Sequence, residues 1–169
     1  MRDERNVHTF SDDQCDERCK RTYEALDDSC NFTFVYSNPH RLITQAVYSS
    51  AAGNIYVTDI SDITDNSFEI TFEAQGIITE ENASFVSACI PYQDSSGKER
   101  LISSTIKVFP QDEFGAYYSF RTSEMREDGN TFLIEVYRKN INSSLNQQIK
   151  IELYPLYKIS FSKQSQDVL

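Results

Sequence analysis

The sequence predicts an all-β chain: an antiparallel β-sandwich or jelly roll with a short N-terminal α-helix. Three observations carry this. Apolar and aromatic residues alternate with polar ones in short runs, clearest in Phe68–Phe72, Phe132–Tyr137 and Ile149–Tyr154. Period two buries one face of a strand and wets the other, as antiparallel sheets do. The glycines Gly53, Gly76, Gly97, Gly115 and Gly129 all fit turns between runs, with Asp128-Gly129-Asn130 and Ser96-Gly97-Lys98 reading as hairpin turns. From residue 31 onward the runs recur roughly every 10 to 20 residues with no helical pattern between them, which excludes βαβ units.

Taken in order, residues 1–10 read as a flexible N-terminus, and Met1–Asn6 lacks the apolar stretch of a signal peptide. Ser11 and Gln14 form a capping box. Asp12, Asp13, Asp16 and Glu17 then suit the positive end of a helix dipole. Asp16/Lys20 and Glu17/Arg21 are opposite charges at i,i+4, and Cys15, Cys19, Tyr23 and Leu26 fall on one stripe. A helix is therefore expected over 12–27. The expected strands are Phe32–Tyr36, Leu42–Tyr48, Ile55–Thr58, Phe68–Phe72, Phe85–Ile90, Ile102–Val108, Tyr117–Arg121, Phe132–Tyr137, and Ile149–Phe161 broken at Pro155. Residues 11–163 are expected to form one domain, with 164–169 as a polar tail. That tail suits the approach to a linker or membrane anchor as well as it suits a natural end.

The segment Ile55–Phe72, a strand, an Asp/Thr/Ser turn and then Ser67-Phe68-Glu69-Ile70-Thr71-Phe72, is similar to the first hairpin of fibronectin type III modules. Phe72 stands where those modules carry tryptophan, and the chain has no tryptophan. Pro110 and Tyr118 do not reproduce the tyrosine corner. The resemblance implies an immunoglobulin- or fibronectin-III-like sandwich and no particular activity.

At 169 residues and 19.5 kDa the chain is long enough to bury a core. Sixteen Lys and Arg against 26 Asp and Glu leave a net charge of −10, so nucleic acid and anionic membranes are repelled. No apolar run is long enough to span a bilayer.

Four cysteines, Cys15, Cys19, Cys30 and Cys89, show no zinc-binding C-x2-C spacing. Acidic neighbours raise the Cys15 thiol pKa, which argues against a nucleophile. Two structural disulfides are expected, with Cys15 and Cys19 each reaching Cys30 or Cys89 to staple the helix to the body. Three sequons, at Asn31, Asn82 and Asn142, point to the same oxidising, extracellular or luminal compartment.

The search for catalytic motifs returns nothing specific. His8 and His40 lie in polar or turn segments, and Glu69 and Glu135 alternate with apolar neighbours as residues on the wet face of a sheet do. Asp59, Asp62 and Asp65, with Asn66, form an acidic turn that is the one candidate for structural calcium; no other cofactor is expected. Tyrosines crowd the expected strands, and the contact face is assigned to Tyr117, Tyr118 and Phe120 together with the acidic Asp59–Asp65 loop. The sequence therefore predicts a non-enzymatic recognition domain, secreted or an ectodomain, that binds a protein partner. A glycan- or lipid-binding jelly roll and a subunit of a larger viral or cellular assembly are the alternatives.

Overall fold

A computed structural model describes residues 19–35, 45–61, 67–109, 116–138 and 148–163. The strands are β1 (Cys19–Ala25), β2 (Cys30–Val35), β3 (Ala46–Ser50), β4 (Gly53–Ser61), β5 (Ser67–Ile78), β6 (Asn82–Ser87), β7 (Cys89–Gln93), β8 (Glu99–Ser103), β9 (Thr105–Phe109), β10 (Ala116–Thr122), β11 (Gly129–Arg138), β12 (Gln148–Tyr154) and β13 (Tyr157–Lys163). Every pairing between them is antiparallel. The predicted sandwich is what forms. One layer is an eight-stranded sheet in the order β1-β13-β6-β5-β11-β10, with β4 and β3 added beside β5, curled into a half-barrel. The other is the three-stranded sheet β2-β12-β9.

Alternation explains the layering. On β5, Phe68, Ile70, Phe72 and Ala74 point inward and are buried, while Glu69, Thr71 and Glu73 lie between them on the wetter face. On β12, Ile149, Ile151 and Leu153 are fully buried and face the same core. Phe32 and Phe34 of β2 meet Phe72 and Phe68 of β5 edge to face, with ring centroids 5.7 and 5.6 Å apart. Those two contacts join the layers. Phe72 also stacks on Phe132 at 4.7 Å, and Phe132 on Phe120 at 5.6 Å. Each buried ring contributes roughly 1.5–3 kcal/mol of transfer free energy.

β5 is long because it serves two sheet regions. Along one edge it pairs with β4 as far as Gly53↔Gly76, and then with β6 from Ile77↔Ser84. Its other edge pairs with β11, ending at Gly129↔Gln75. Three glycines thus meet where the sheet branches. A Cβ on Gly76 would stand 2.8 Å from the Ser84 carbonyl oxygen, and one on Gly53 2.6 Å from that of Gln75. Side chains are excluded because backbones approach each other there.

Two differences from the sequence expectation concern the elements themselves. Cys19–Ala25 is not helical: it is β1, an exposed edge strand paired with β13 from Cys19↔Lys163 to Ala25↔Tyr157. Residues 12–18 of the expected helix lie outside the described residues, and among the described residues there is no helix. The edge of β13 decides this, since its row of backbone groups offers a complete ladder, whereas a short isolated helix is marginal in water. Arg21 then lies over the Phe161 ring at 5.4 Å.

The second difference is that two expected strands each divide. Phe85–Ile90 breaks at Ala88 and Ile102–Val108 breaks at Ser104. The two breaks are joined, because the Ser104 amide donates to the Ala88 carbonyl at 2.7 Å and the Ser104 hydroxyl to the Pro155 carbonyl at 2.5 Å. Between them β7 and β8 form a separate two-stranded hairpin that pairs with no strand of either layer. The break expected at Pro155 is present, and it carries the chain from β12 in the small sheet to β13 in the large one.

Candidate functional site

Of the residues assigned to a contact face, the structure describes the side chains of Phe120 on β10 and Asp59 on β4. β10 is an edge strand of the large sheet. Its register sets Tyr117 opposite Tyr137, Tyr118 opposite Val136, Ser119 opposite Glu135 and Phe120 opposite Ile134. The side chains of Tyr117 and Tyr118 lie outside the described part. Phe120 is half-buried, and its ring stacks on Phe132 against the core.

Asp59 is exposed on β4, opposite Thr71 after a bulge that follows Val57. Asp62 and Asp65 lie outside the described residues, and among the described residues no group of His, Cys, Asp and Glu is arranged to hold a metal.

Strand order adds a relation that spacing alone does not give. Glu69 and Glu135 sit directly opposite each other on β5 and β11, flanked by Ser61 and Ser119 in the same row. Like charges in that position repel. Arg121 of β10 reaches Glu69 at 3.9 Å. Tyr137 is 44% exposed, and its hydroxyl bonds the Glu135 carboxylate, which raises the Tyr137 pKa. Glu73 continues the acidic row two residues along β5.

The sequence marks the turn of the β7–β8 hairpin but does not single the hairpin out as a contact element. Every residue of β8 is exposed, and Tyr92, Leu101 and Ile102 are 40, 38 and 39% exposed. The register shows how they are presented. Ile90↔Ile102 and Tyr92↔Arg100 share one face of the ribbon, and Pro91↔Leu101 lies on the other. An isolated two-stranded hairpin is marginal in water, and this one is held at both ends. Its base is the Ala88–Ser104 bond. Its tip is the expected Ser96-Gly97 turn, where Gly97 has φ +83°. There Asp94 Oδ1 accepts from the Ser96 amide and hydroxyl at 2.9 and 2.6 Å and from the Lys98 amide at 3.0 Å. Asp94 Oδ2 accepts from Arg100 Nε at 2.6 Å. The signal available in the sequence was apolar residues at Ile90, Tyr92, Leu101 and Ile102 on both sides of a short turn; that Ile90 packs on the core while Tyr92, Leu101 and Ile102 are exposed was not legible.

The hydrogen bond from the Ser96 hydroxyl, then that from Arg100, holds the Asp94 carboxyl at about 2, below its ordinary 3.8. A depressed carboxylate stabilises the folded turn fully above its unfolded pKa, and that contribution is lost as pH falls through the folded value. The Ser96 and Lys98 amide resonances are therefore expected to titrate with a midpoint near 2, and Asp94→Asn to abolish the titration. A midpoint near 4 would show that the turn network is not formed.

The expected disulfides are not found at the two cysteines whose side chains are described. Cys30 and Cys89 are free, fully buried thiols. Burial pushes the Cys30 thiol up to about 12 and raises that of Cys89. The Cys30 thiol donates to the Val47 carbonyl at 3.7 Å; Cys89 contacts Ser87 at 3.6 Å and accepts from Asn130 at 3.9 Å. Each fills its place in the core as a small apolar side chain would. Cys15, and the side chain of Cys19, lie outside the described part.

Of the sequons, Asn31 and Asn82 are exposed, the first bonding the Ser29 hydroxyl at 2.6 Å, and Asn142 lies outside the described residues. His8 and His40 also lie outside them. Among the described residues no helix is long and apolar enough to cross a membrane. The sequence matches no family model, and no curated protein or solved structure is found similar to it.

Proposed function

We propose that this chain is a non-enzymatic recognition domain that engages a protein partner on the extracellular or luminal side of a membrane. The β7–β8 hairpin supports this reading most directly. It is a ribbon that pairs with neither layer and is anchored in the core at Cys89, with Tyr92, Leu101 and Ile102 exposed on its two faces and its turn fixed by four hydrogen bonds to Asp94. Exposed apolar groups clustered on a rigid, pre-organised element are the usual make-up of a protein interface. Aromatic residues of this kind act as anchors there. The exposed sequon residues Asn31 and Asn82 support the compartment.

The test is binding of the fluorescent, multimerised chain to a panel of intact cells. The double variant Leu101→Asp/Ile102→Asp leaves the buried core untouched and is expected to fold. It should lose at least about tenfold in affinity on any cell that the unaltered chain stains. Equal staining by a folded variant overturns the role of the hairpin. An absence of staining across the panel counts against the extracellular reading.

A further inference from the structure

We propose that the partner engages the hairpin by adding an extended strand to the outer edge of β8, through the backbone of Glu99, Leu101 and Ser103. The proposal rests on the recognition reading and names the form in which the partner presents itself.

Its first ground is the phase of the hairpin's hydrogen bonds. The Asp94 amide donates to the Lys98 carbonyl at 2.9 Å, and the Ser104 amide to the Ala88 carbonyl at 2.7 Å. Both pairs continue the register of Ile90↔Ile102 and Tyr92↔Arg100, which runs without a bulge. Bonded and non-bonded pairs alternate along an antiparallel ladder. Ile102 and Arg100 therefore bond back to β7, and the amides and carbonyls of Glu99, Leu101 and Ser103 turn away from it. Among the described residues no backbone group meets them on that side.

The second ground is the asymmetry of the ribbon. Pro91 stands directly opposite Leu101, so the same phase turns its nitrogen outward, on the free side of β7. That nitrogen carries no hydrogen to donate. Proline on an edge is one of the devices that prevent strand addition. The β7 edge is thus guarded at its middle, and the β8 edge has an amide at the matching place.

The third ground is what flanks the open edge. All five residues of β8 are exposed. Leu101 lies on one face of the ribbon and Ile102 on the other, so a strand laid along the edge meets an apolar side chain on each side. Arg100 is drawn back to Asp94 Oδ2 at 2.6 Å. An extended backbone matches the alternating donors and acceptors of such an edge at strand spacing, and the flanking side chains select its sequence. The net charge of −10 disfavours a second copy of this chain in that place.

The first measurement is amide hydrogen exchange of the full chain. The Arg100 and Ile102 amides should exchange roughly tenfold more slowly than those of Leu101 and Ser103. The probe is then a short acetylated, amidated peptide alternating lysine and valine, with a fully N-methylated version as control. At about 0.2 M salt, where exposed charges are screened beyond roughly 8 Å, the plain peptide is expected to shift the Leu101 and Ser103 amides and the N-methylated one to leave them in place. Leu101→Pro removes the outward amide and keeps an apolar side chain, as Pro91 does across the ladder. It should weaken binding of the plain peptide about fivefold, the worth of a lost hydrogen bond. Leu101→Ala keeps the amide and should weaken it less. Unchanged Ser96 and Lys98 amide shifts show that the hairpin of the proline variant is folded; if they move, Ser103→Pro takes its place.

The proposal is overturned if the Leu101 and Ile102 amides exchange alike, if the plain peptide leaves β8 unshifted, if both peptides bind alike, or if the folded proline variant binds as the unaltered chain does. Shifts of β8 with protein concentration alone also overturn it, since a second copy then holds the edge. Cell staining lost in Leu101→Asp/Ile102→Asp would survive each of these failures, because side-chain contact needs no strand pairing. Peptide addition at β8 with no cell stained would remove the extracellular reading and leave the open edge standing.

Discussion

Gly129→Ala is expected to unfold the chain or nearly so. Gly129 has φ +132°, a conformation that residues with a Cβ rarely adopt, and its Cβ would stand 1.7 Å from the Ala74 carbonyl oxygen and 2.8 Å from that carbonyl carbon. No side-chain rotation relieves a clash with backbone, so β11 must separate from β5 at the place where it is registered, Gly129↔Gln75. The turn that precedes it goes too, since Arg126 and Gly129 exchange both backbone hydrogen bonds, at 3.0 and 2.9 Å. Conformational strain costs of order 1–3 kcal/mol alone. With the clash, a loss of roughly 3–5 kcal/mol is expected, a large fraction of the stability of an ordinary domain. The melting temperature should fall by about 10 °C or more. Gly97→Ala is the comparison: φ there is +83° but nothing lies within 4 Å of the added Cβ, so only the conformational cost of about 1 kcal/mol is expected. Equal, small losses in thermal melts of both variants would show that β11 does not approach β5 as described.

Phe72→Ala should cost about 3–5 kcal/mol, because Phe72 is fully buried between Phe132 in its own sheet and Phe32 in the facing one. A double-mutant cycle with Phe32→Leu separates the part that matters for architecture. The edge-to-face pair across the layers should show a coupling of roughly 0.5–1.5 kcal/mol. Strictly additive losses in denaturant titrations would mean that the small sheet does not close over β5.

Most of the architecture was legible because strands with one wet face write it into the sequence. Phe68-Glu69-Ile70-Thr71-Phe72 alternates just as β5 does in burial, and Pro155 marks the passage between layers. What was not legible depended on partners distant in sequence. Lys20 and Arg21 read as the far members of helical charge pairs with Asp16 and Glu17, yet the edge of β13 takes residues 19–25 as a strand. The apolar runs at 85–90 and 102–108 are continuous in character, and only the Ala88–Ser104 bond shows that the chain leaves the large sheet between them. The same holds for the contact residues. Glu69 and Glu135 were readable one at a time as wet-face residues, but their meeting follows from β5 pairing with β11, which no spacing encodes. Phe120 was assigned to the contact face with Tyr117 and Tyr118, and only the fold shows its ring stacked on Phe132 against the core. Counting cysteines suggested disulfides, and could not show that Cys30 and Cys89 are packed apart as separate buried thiols.

The most direct test of the recognition reading is site-specific photocrosslinking on cells that the chain stains. A photoreactive phenylalanine analogue replaces Ile102 on the β7–β8 hairpin, or Glu152 on the outer side of the small sheet as the reference position. If the hairpin is the contact element, the Ile102 position gives a discrete crosslinked adduct, competed by the unaltered chain and not by Leu101→Asp/Ile102→Asp, and the Glu152 position gives none. An adduct from Glu152 with none from Ile102 would contradict the account, and would move the interface to the three-stranded sheet.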